Sequence, residues 1–154
     1  MLRMGRLTDY GTVILACLAN GDNGDLYTTR DVAEHTHLAL TTVSKLLKIM
    51  TRAGLVESFR GPAGGYRLAR PATEITAAQI IDALEGPVSI TECSASDSHC
   101  DIEADCSVGN AWQRINVAIR NALQEVSLVD LLRSSSPVPR FRFAGLPITV
   151  EEKT

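Results

Sequence analysis

The stretch Arg60-Gly61-Pro62-Ala63-Gly64-Gly65-Tyr66 constrains this chain more than any other. Three glycines and a proline crowded into residues 60–65 fit neither a helix interior nor a central strand, because glycine costs backbone entropy there and proline lacks a donor. The stretch must therefore be a turn. Its flanks, Leu55-Val56-Glu57-Ser58-Phe59 and Tyr66-Arg67-Leu68, have strand composition, so the whole reads as a β-hairpin with a glycine-rich tip, ended by Pro71.

Helical patterns precede the hairpin. Thr8 to Ala19 reads as a helix opened by Thr8 as cap and closed by the turn-rich Asn20-Gly21-Asp22-Asn23-Gly24-Asp25. Thr28 and Thr29 cap a short helix through His35, a tight turn follows at His37-Leu38-Ala39, and Thr41 caps a second helix to Ala53, with Gly54 as its stop. In that second helix Val43, Leu46, Leu47 and Met50 recur at the i, i+3, i+4, i+7 spacing of a core-facing stripe, leaving polar and basic residues for the other faces. Two short helices of this kind form a helix-turn-helix, and the hairpin adds a wing. Residues 1–71 are thus expected to be a winged helix-turn-helix domain.

Downstream, Thr76-Ala77-Ala78-Gln79 has the form of a capping box opening a helix to Leu84 or Glu85 within a connecting segment, 72–87, which Gly86-Pro87 breaks. Residues 88–106 are rich in Ser, Asp and Cys and too poor in large apolar side chains to pack unaided. From 107 to about 132 an apolar stripe through Trp112, Ile115, Ile119, Leu123 and Val126 predicts one helix of roughly seven turns. Such a helix overhangs a globule this small, so 107–133 is expected to pair with a second copy, making a homodimer; 134–154 reads as a flexible tail. The expected fold class is mainly α: a winged helix-turn-helix with a two-stranded wing and a long C-terminal dimerisation helix.

The net charge of −3 over 154 residues hides an asymmetry. Residues 1–70 carry nine Lys/Arg against six Asp/Glu, a balance of +3, whereas 71–136 carry three against ten, a balance of −7. A basic face for a polyanion beside an acidic module follows. No apolar run approaches the ~20 residues of a membrane span, and the first residues lack a secretory apolar stretch, so a cytoplasmic protein without a membrane partner is expected. Catalysis would need an activated nucleophile or acid/base pair in a cavity; no such constellation is present in the sequence, and an enzyme is not expected.

The partner expected is double-stranded DNA. A helix fits the major groove, and neutralised phosphates release counterions. Lys45, Lys48 and Arg52 suit phosphates, while Thr41, Thr42 and Ser44 near the helix start suit base edges, with Thr28 at the preceding helix's start as a further contact. On the wing, Arg60 suits a narrow minor groove, and Gly61, Pro62, Gly64, Gly65 and Tyr66 complete the surface that approaches DNA.

Cys93, Cys100 and Cys106 lie within fourteen residues, separated by six and then five others. In a reducing compartment such a group suggests metal or redox chemistry rather than disulfides. Wide gaps without a Cys-x-x-Cys pair favour an iron-sulfur cluster, 2Fe-2S or 4Fe-4S, over zinc or a thiol redox or nitric-oxide sensor. Cys17, inside Val13-Ile14-Leu15-Ala16-Cys17-Leu18, reads as a core thiol.

These features together resemble the IscR-type winged-helix regulators, which include iron-sulfur, nitric-oxide and iron-responsive repressors. The resemblance runs from Leu7 to about Leu132, carried by Leu7-Thr8-Asp9-Tyr10, Val43-Ser44-Lys45-Leu46-Leu47, Gly54-Leu55-Val56, the glycine-rich wing, Glu85-Gly86-Pro87 and the three cysteines before Trp112. Within the family it is most similar to regulators of the SUF iron-sulfur assembly operon. It implies a repressor of cluster-assembly genes that senses cluster status. Relatives with a two-iron cluster place a His three residues past the last cysteine; Gly109 stands there and cannot ligate. A branch that senses nitric oxide supplies an Asp from the partner's first helix, and Asp9 falls on that position, with His99 as second choice. Ser44 replaces the acidic recognition-helix residue that screens targets in cluster-controlled relatives, so the resemblance does not carry over their two-class switch. It implies that cluster loading orders 88–106 and sets the spacing of the two recognition helices.

Overall fold

A computed structural model describes residues 4–21, 25–91 and 107–133, with two dipeptides at 142–143 and 146–147. Cys93, Cys100, Cys106 and His99, and most of the 134–154 tail, lie outside the described residues. The elements are α1 (Arg6–Ala19), α2 (Thr29–Thr36), α3 (Leu40–Arg52), β1 (Val56–Phe59), β2 (Gly65–Leu68), a 3₁₀ turn (Ala72–Glu74), α4 (Ala77–Leu84), α5 (Gly109–Glu125), α6 (Leu128–Leu132), and the short antiparallel pair β3 (Arg142–Phe143) and β4 (Leu146–Pro147).

One aliphatic core joins α1 to α4. Ile14, Leu15, Val32, Val43, Leu46, Leu47, Met50, Leu55, Ile75 and Ile80 are buried, and the stripe read from α3 is its centre. With aromatics at 5 % of the chain, this packing rests on branched aliphatic side chains, each contributing about 1.5–3 kcal/mol when fully buried.

Helix α1 begins earlier than expected, at Arg6 with Gly5 as N-cap, and Thr8 is buried inside its first turn rather than capping it. The cap comes from another element. Glu85, at the end of α4, accepts from the Gly5 amide at 2.6 Å and from the Thr8 hydroxyl, so a distant carboxylate satisfies an orphan amide and complements the helix dipole. Gly11 lets the two helices approach, because a methyl there would meet the Leu84 side chain.

Caps at α2 and α4 follow the sequence: Thr28 and Asp31 form one capping box, Thr76 and Gln79 another. Helix α3 starts one residue ahead of the expected cap, with Ala39 as N-cap and Thr41 in the first turn. Between α2 and α3 the chain reverses at His37, whose φ of 55° lies in the left-handed region where glycine is usual.

The single helix expected over 107–132 is two. Val126 is extended, Ser127 caps α6, and Ser127 and Asp130 form a third capping box. At this break the Ala77 amide donates to the Val126 carbonyl at 2.8 Å and the Leu128 amide to the Ile75 carbonyl at 2.7 Å. Leu128 thereby enters the main core, fully buried. Helix α5 stays on the surface: of its seventeen residues Asn116 alone is buried.

Candidate nucleic-acid interface

Burial of Val43, Leu46, Leu47 and Met50 turns the opposite side of α3 to solvent. Thr41, Lys45, Lys48 and Arg52 are exposed there, while Thr42 and Ser44 are half-buried. Thr41, Ser44, Lys45, Lys48 and Arg52 share an open cleft of about 840 Å³, which also takes in Thr29, Ile49 and Leu40. Leu40 is 51 % exposed. It lies three residues ahead of Val43, where the spacing of the apolar stripe would bury it, yet it faces solvent in the first turn of α3.

The wing pairs Val56 with Leu68, Glu57 with Arg67, Ser58 with Tyr66 and Phe59 with Gly65. Tyr27, from the α1–α2 connection, adds a third strand position, exchanging backbone hydrogen bonds of 2.9 and 2.8 Å with Tyr66. Three wing glycines therefore have local causes. Gly61 holds φ +109°; a methyl on Gly64 would collide with the Phe59 carbonyl; one on Gly65 would sit 2.9 Å from the Tyr27 oxygen. Gly65 is buried and Tyr66 half-buried, whereas Arg60, Gly61 and Pro62 are exposed at the tip. Beside them Arg67 stacks 4.6 Å over the Phe59 ring and donates from Nε and Nη2 to Glu57 at 3.2 and 3.1 Å. Sequence reading missed this triad, although alternation along paired strands puts 57, 59 and 67 on one face.

The Thr28 hydroxyl is already engaged. It donates to the Asp31 carboxylate at 2.7 Å and accepts from the Asp31 amide at 3.2 Å. Donation to the Asp31 carboxylate from the Thr28 hydroxyl, and from the Thr28 amide at 2.8 Å, holds that carboxyl below its ordinary pKa, and the same arrangement at Ser127 lowers Asp130.

On α5, Trp112 and Ile115 are 40 % and 43 % exposed and Ile119 and Leu123 are half-buried, as is Val126 just past its end, so the expected stripe is broken there. Asp9 is exposed in the first turn of α1. Among the described residues no group of three or more His, Cys, Asp or Glu side chains could hold a metal. Cys17 is half-buried rather than fully buried, and burial pushes its thiol pKa up, which favours the protonated form. Among the described residues no helix is long and apolar enough to cross a membrane.

A helix-turn-helix with a basic, solvent-facing second helix and an arginine-tipped wing defines a winged-helix DNA-binding protein. Residues 4–134 match the Rrf2 family, described as iron-dependent transcriptional regulators. The chain belongs to that family, and it is a DNA-binding transcriptional regulator, not an enzyme. It is 31 % identical to the regulator IscR of Cereibacter sphaeroides over 84 % of both chains. It is 28 % identical to NsrR of Oceanobacillus iheyensis, over 86 % of this chain and 91 % of that one. Among solved structures it is similar to CymR, the global cysteine regulator of B. subtilis, at a TM-score of 0.66 and 29 % identity, covering 88 % of this chain and all of that one.

Proposed function

We propose that this chain is a homodimeric repressor of iron-sulfur cluster assembly genes, reading a near-palindromic operator and sensing cluster status through a cluster of its own. The observation that carries the DNA half is the exposed Thr41–Arg52 side of α3, where one cleft gathers Ser44, Lys45, Lys48 and Arg52. Thr41, Thr42, Ser44 and Leu40 face bases; Lys45, Lys48 and Arg52 take phosphates; Arg60 with Gly61, Pro62 and Gly64 enters the minor groove. Thr28, Gly65 and Tyr66 support that surface through the cap and the Tyr27 bridge. Trp112, Ile115, Ile119 and Leu123 on α5, with Val126 just past its end, meet the same face of the second copy, since a surface apolar stripe, exposed at Trp112 and Ile115 and half-buried at the others, suits an isologous contact.

Three cysteines in fourteen residues and a solvent-facing carboxylate form a donor set that suits an iron-sulfur group. Cys93, Cys100 and Cys106 would hold it, with Asp9 of the second copy as fourth ligand; the likeness to IscR and NsrR supports this reading. When bound, the cluster supplies a crosslink sensitive to iron supply, oxidants and nitric oxide. The protein's own part is to place Asp9, by fixing the first turn of α1 through Glu85, and to present α3 at a set distance from its copy.

Purification without oxygen tests this. Brown protein with broad visible absorbance, lost in Cys100→Ala, is expected. A second reading rests on the likeness to CymR: a regulator whose thiols bind zinc or respond to oxidants without a cluster. Colourless protein with stoichiometric zinc or a reversible thiol oxidation would select it.

A further inference from the structure

Helix α5 is exposed along most of its length, with Asn116 buried, and two attachments hold its C-terminal half. The first is the backbone clamp at Val126 and Leu128 against Ala77 and Ile75. The second is a two-pronged ion pair, Arg120 Nη1 to Asp82 Oδ1 at 3.1 Å and Nη2 to Oδ2 at 2.6 Å. Asp82 stands on α4, whose acceptor side chains recur every three residues: Gln79 accepts from Arg70 at 3.4 Å, Asp82 from Arg120, and Glu85 from Gly5 and Thr8. Arg70 leaves the wing and Gly5 opens α1, so α4, which carries Asp82, is tied to the DNA-reading head on either side of it.

Distances along α5 set the leverage of the ion pair on the part of the helix beyond it. With a rise of about 1.5 Å per residue, Arg120 lies about 9 Å from the Val126 clamp and Gly109 about 25 Å from it. Play of about 1 Å at Arg120 thus becomes about 3 Å at the far end of the helix. Paired by an exposed face on α5, two heads inherit that play in full. Inserting one base pair between half-sites moves them by about 3.4 Å and turns them by about 35°, a displacement of the same size.

We infer that Asp82 and Arg120 are positioning residues that set the half-site spacing the dimer accepts, without touching DNA. A planar guanidinium fork gripping both carboxylate oxygens fixes an angle as well as a distance, which a lysine does not. With side chains 37 % and 28 % exposed, the pair adds little to stability, so its loss leaves the fold in place and frees the angle. The inference rests on the two-headed reading of a palindrome proposed above.

The test uses the full-length dimer and a palindromic duplex recovered by selection from random DNA. Binding is measured on that duplex, on versions with one or two base pairs added or removed between half-sites, and on a single half-site. Wild-type protein is expected to lose about tenfold or more in affinity at one base pair of error, the size of a lost base contact. Arg120→Gln and Asp82→Asn are expected to flatten the profile to within about threefold while half-site affinity stays within about twofold of wild type. Arg120→Lys is expected to fall between. A wild-type profile retained in Arg120→Gln, or affinity lost equally on every duplex and the half-site, overturns the inference. A flat profile in the wild-type protein overturns the two-headed reading instead.

Discussion

Thr76 and Ser127, each the N-cap of its own helix, face one another across an isolated antiparallel bridge. Two capping boxes thus meet back to back, and their flanking amides close the clamp that brings Leu128 into the core. Replacing a capping Ser by Ala costs about 1 kcal/mol. Ser127→Ala is therefore expected to lower the melting midpoint by about 2–4 °C, and Leu128→Ala, which opens a core cavity, to cost about 2–5 kcal/mol. Chemical denaturation of both variants checks the order.

His37 occupies a left-handed conformation that glycine adopts without penalty. It is exposed, at the C-cap of α2. His37→Gly is expected to stabilise the protein by about 0.5–1 kcal/mol, and His37→Val to destabilise it by more than that, since a branched Cβ suits this region least. Thermal melts of the pair give opposite signs if backbone strain is the cause.

Much of the reading head was legible because its signals are local. The α3 stripe, the α2 and α4 caps and the glycine-rich tip each depend on neighbours in sequence, and each falls where the letters put it. What was not legible depends on distant partners. Glu85 caps α1 from eighty residues away, so Thr8 looked like a cap when it is a buried hydroxyl. The break after α5 was masked by apolar spacing that runs on through Val126 and Val129, although Ser127-x-x-Asp130 was there to be read as a capping box. Resetting the helical phase at that break is what turns Leu128 inward. On the candidate interface, the exposure of Lys45, Lys48 and Arg52 followed from the position of the core stripe, whereas that of Leu40 emerges only from tertiary geometry; the Phe59, Arg67 and Glu57 group was open to reading from strand alternation once the hairpin register is fixed. The cysteine ligands lie outside the described residues.

Acid should unfasten two helix starts together. Hydrogen bonds from Thr28 hold Asp31, and those from Ser127 hold Asp130, below the usual 3.8. A carboxylate depressed in the folded state contributes stability that is complete above its unfolded pKa and is lost as pH falls through the folded one. Stability from this source is thus expected to be level down to about pH 5 and to decline below about pH 4. The double variant Asp31→Asn, Asp130→Asn should be less stable at neutral pH and show a shallower decline in acid. Parallel curves for wild type and variant would refute the assignment.

Gly64 and Gly65 pack against backbone, where neighbours cannot yield as a flexible side chain can. Gly64→Ala is expected to distort the β1–β2 turn and weaken DNA binding, while Gly61→Ala strains φ alone with open space around it. The expected costs are about 2 kcal/mol or more for the first and about 1 kcal/mol for the second. Comparing operator affinity with melting midpoint for each separates loss of wing shape from loss of fold.

Lys45, Lys48 and Arg52 reach solvent from one side of α3, and Ser44 is half-buried beside them. Phosphate contacts and base contacts respond differently to salt, because each neutralised phosphate releases about 0.9 of a counterion while a base contact releases none. Lys48→Ala is expected to weaken binding to specific and random duplexes alike and to reduce the slope of log affinity against log salt by about one per protomer in contact. Ser44→Ala and Leu40→Ala should leave that slope unchanged and narrow the gap between specific and random DNA by about 1–3 kcal/mol at each base pair they read. If Lys48→Ala narrows the gap and spares the slope, the lysine reads bases and the assignment of α3 must be turned about its axis.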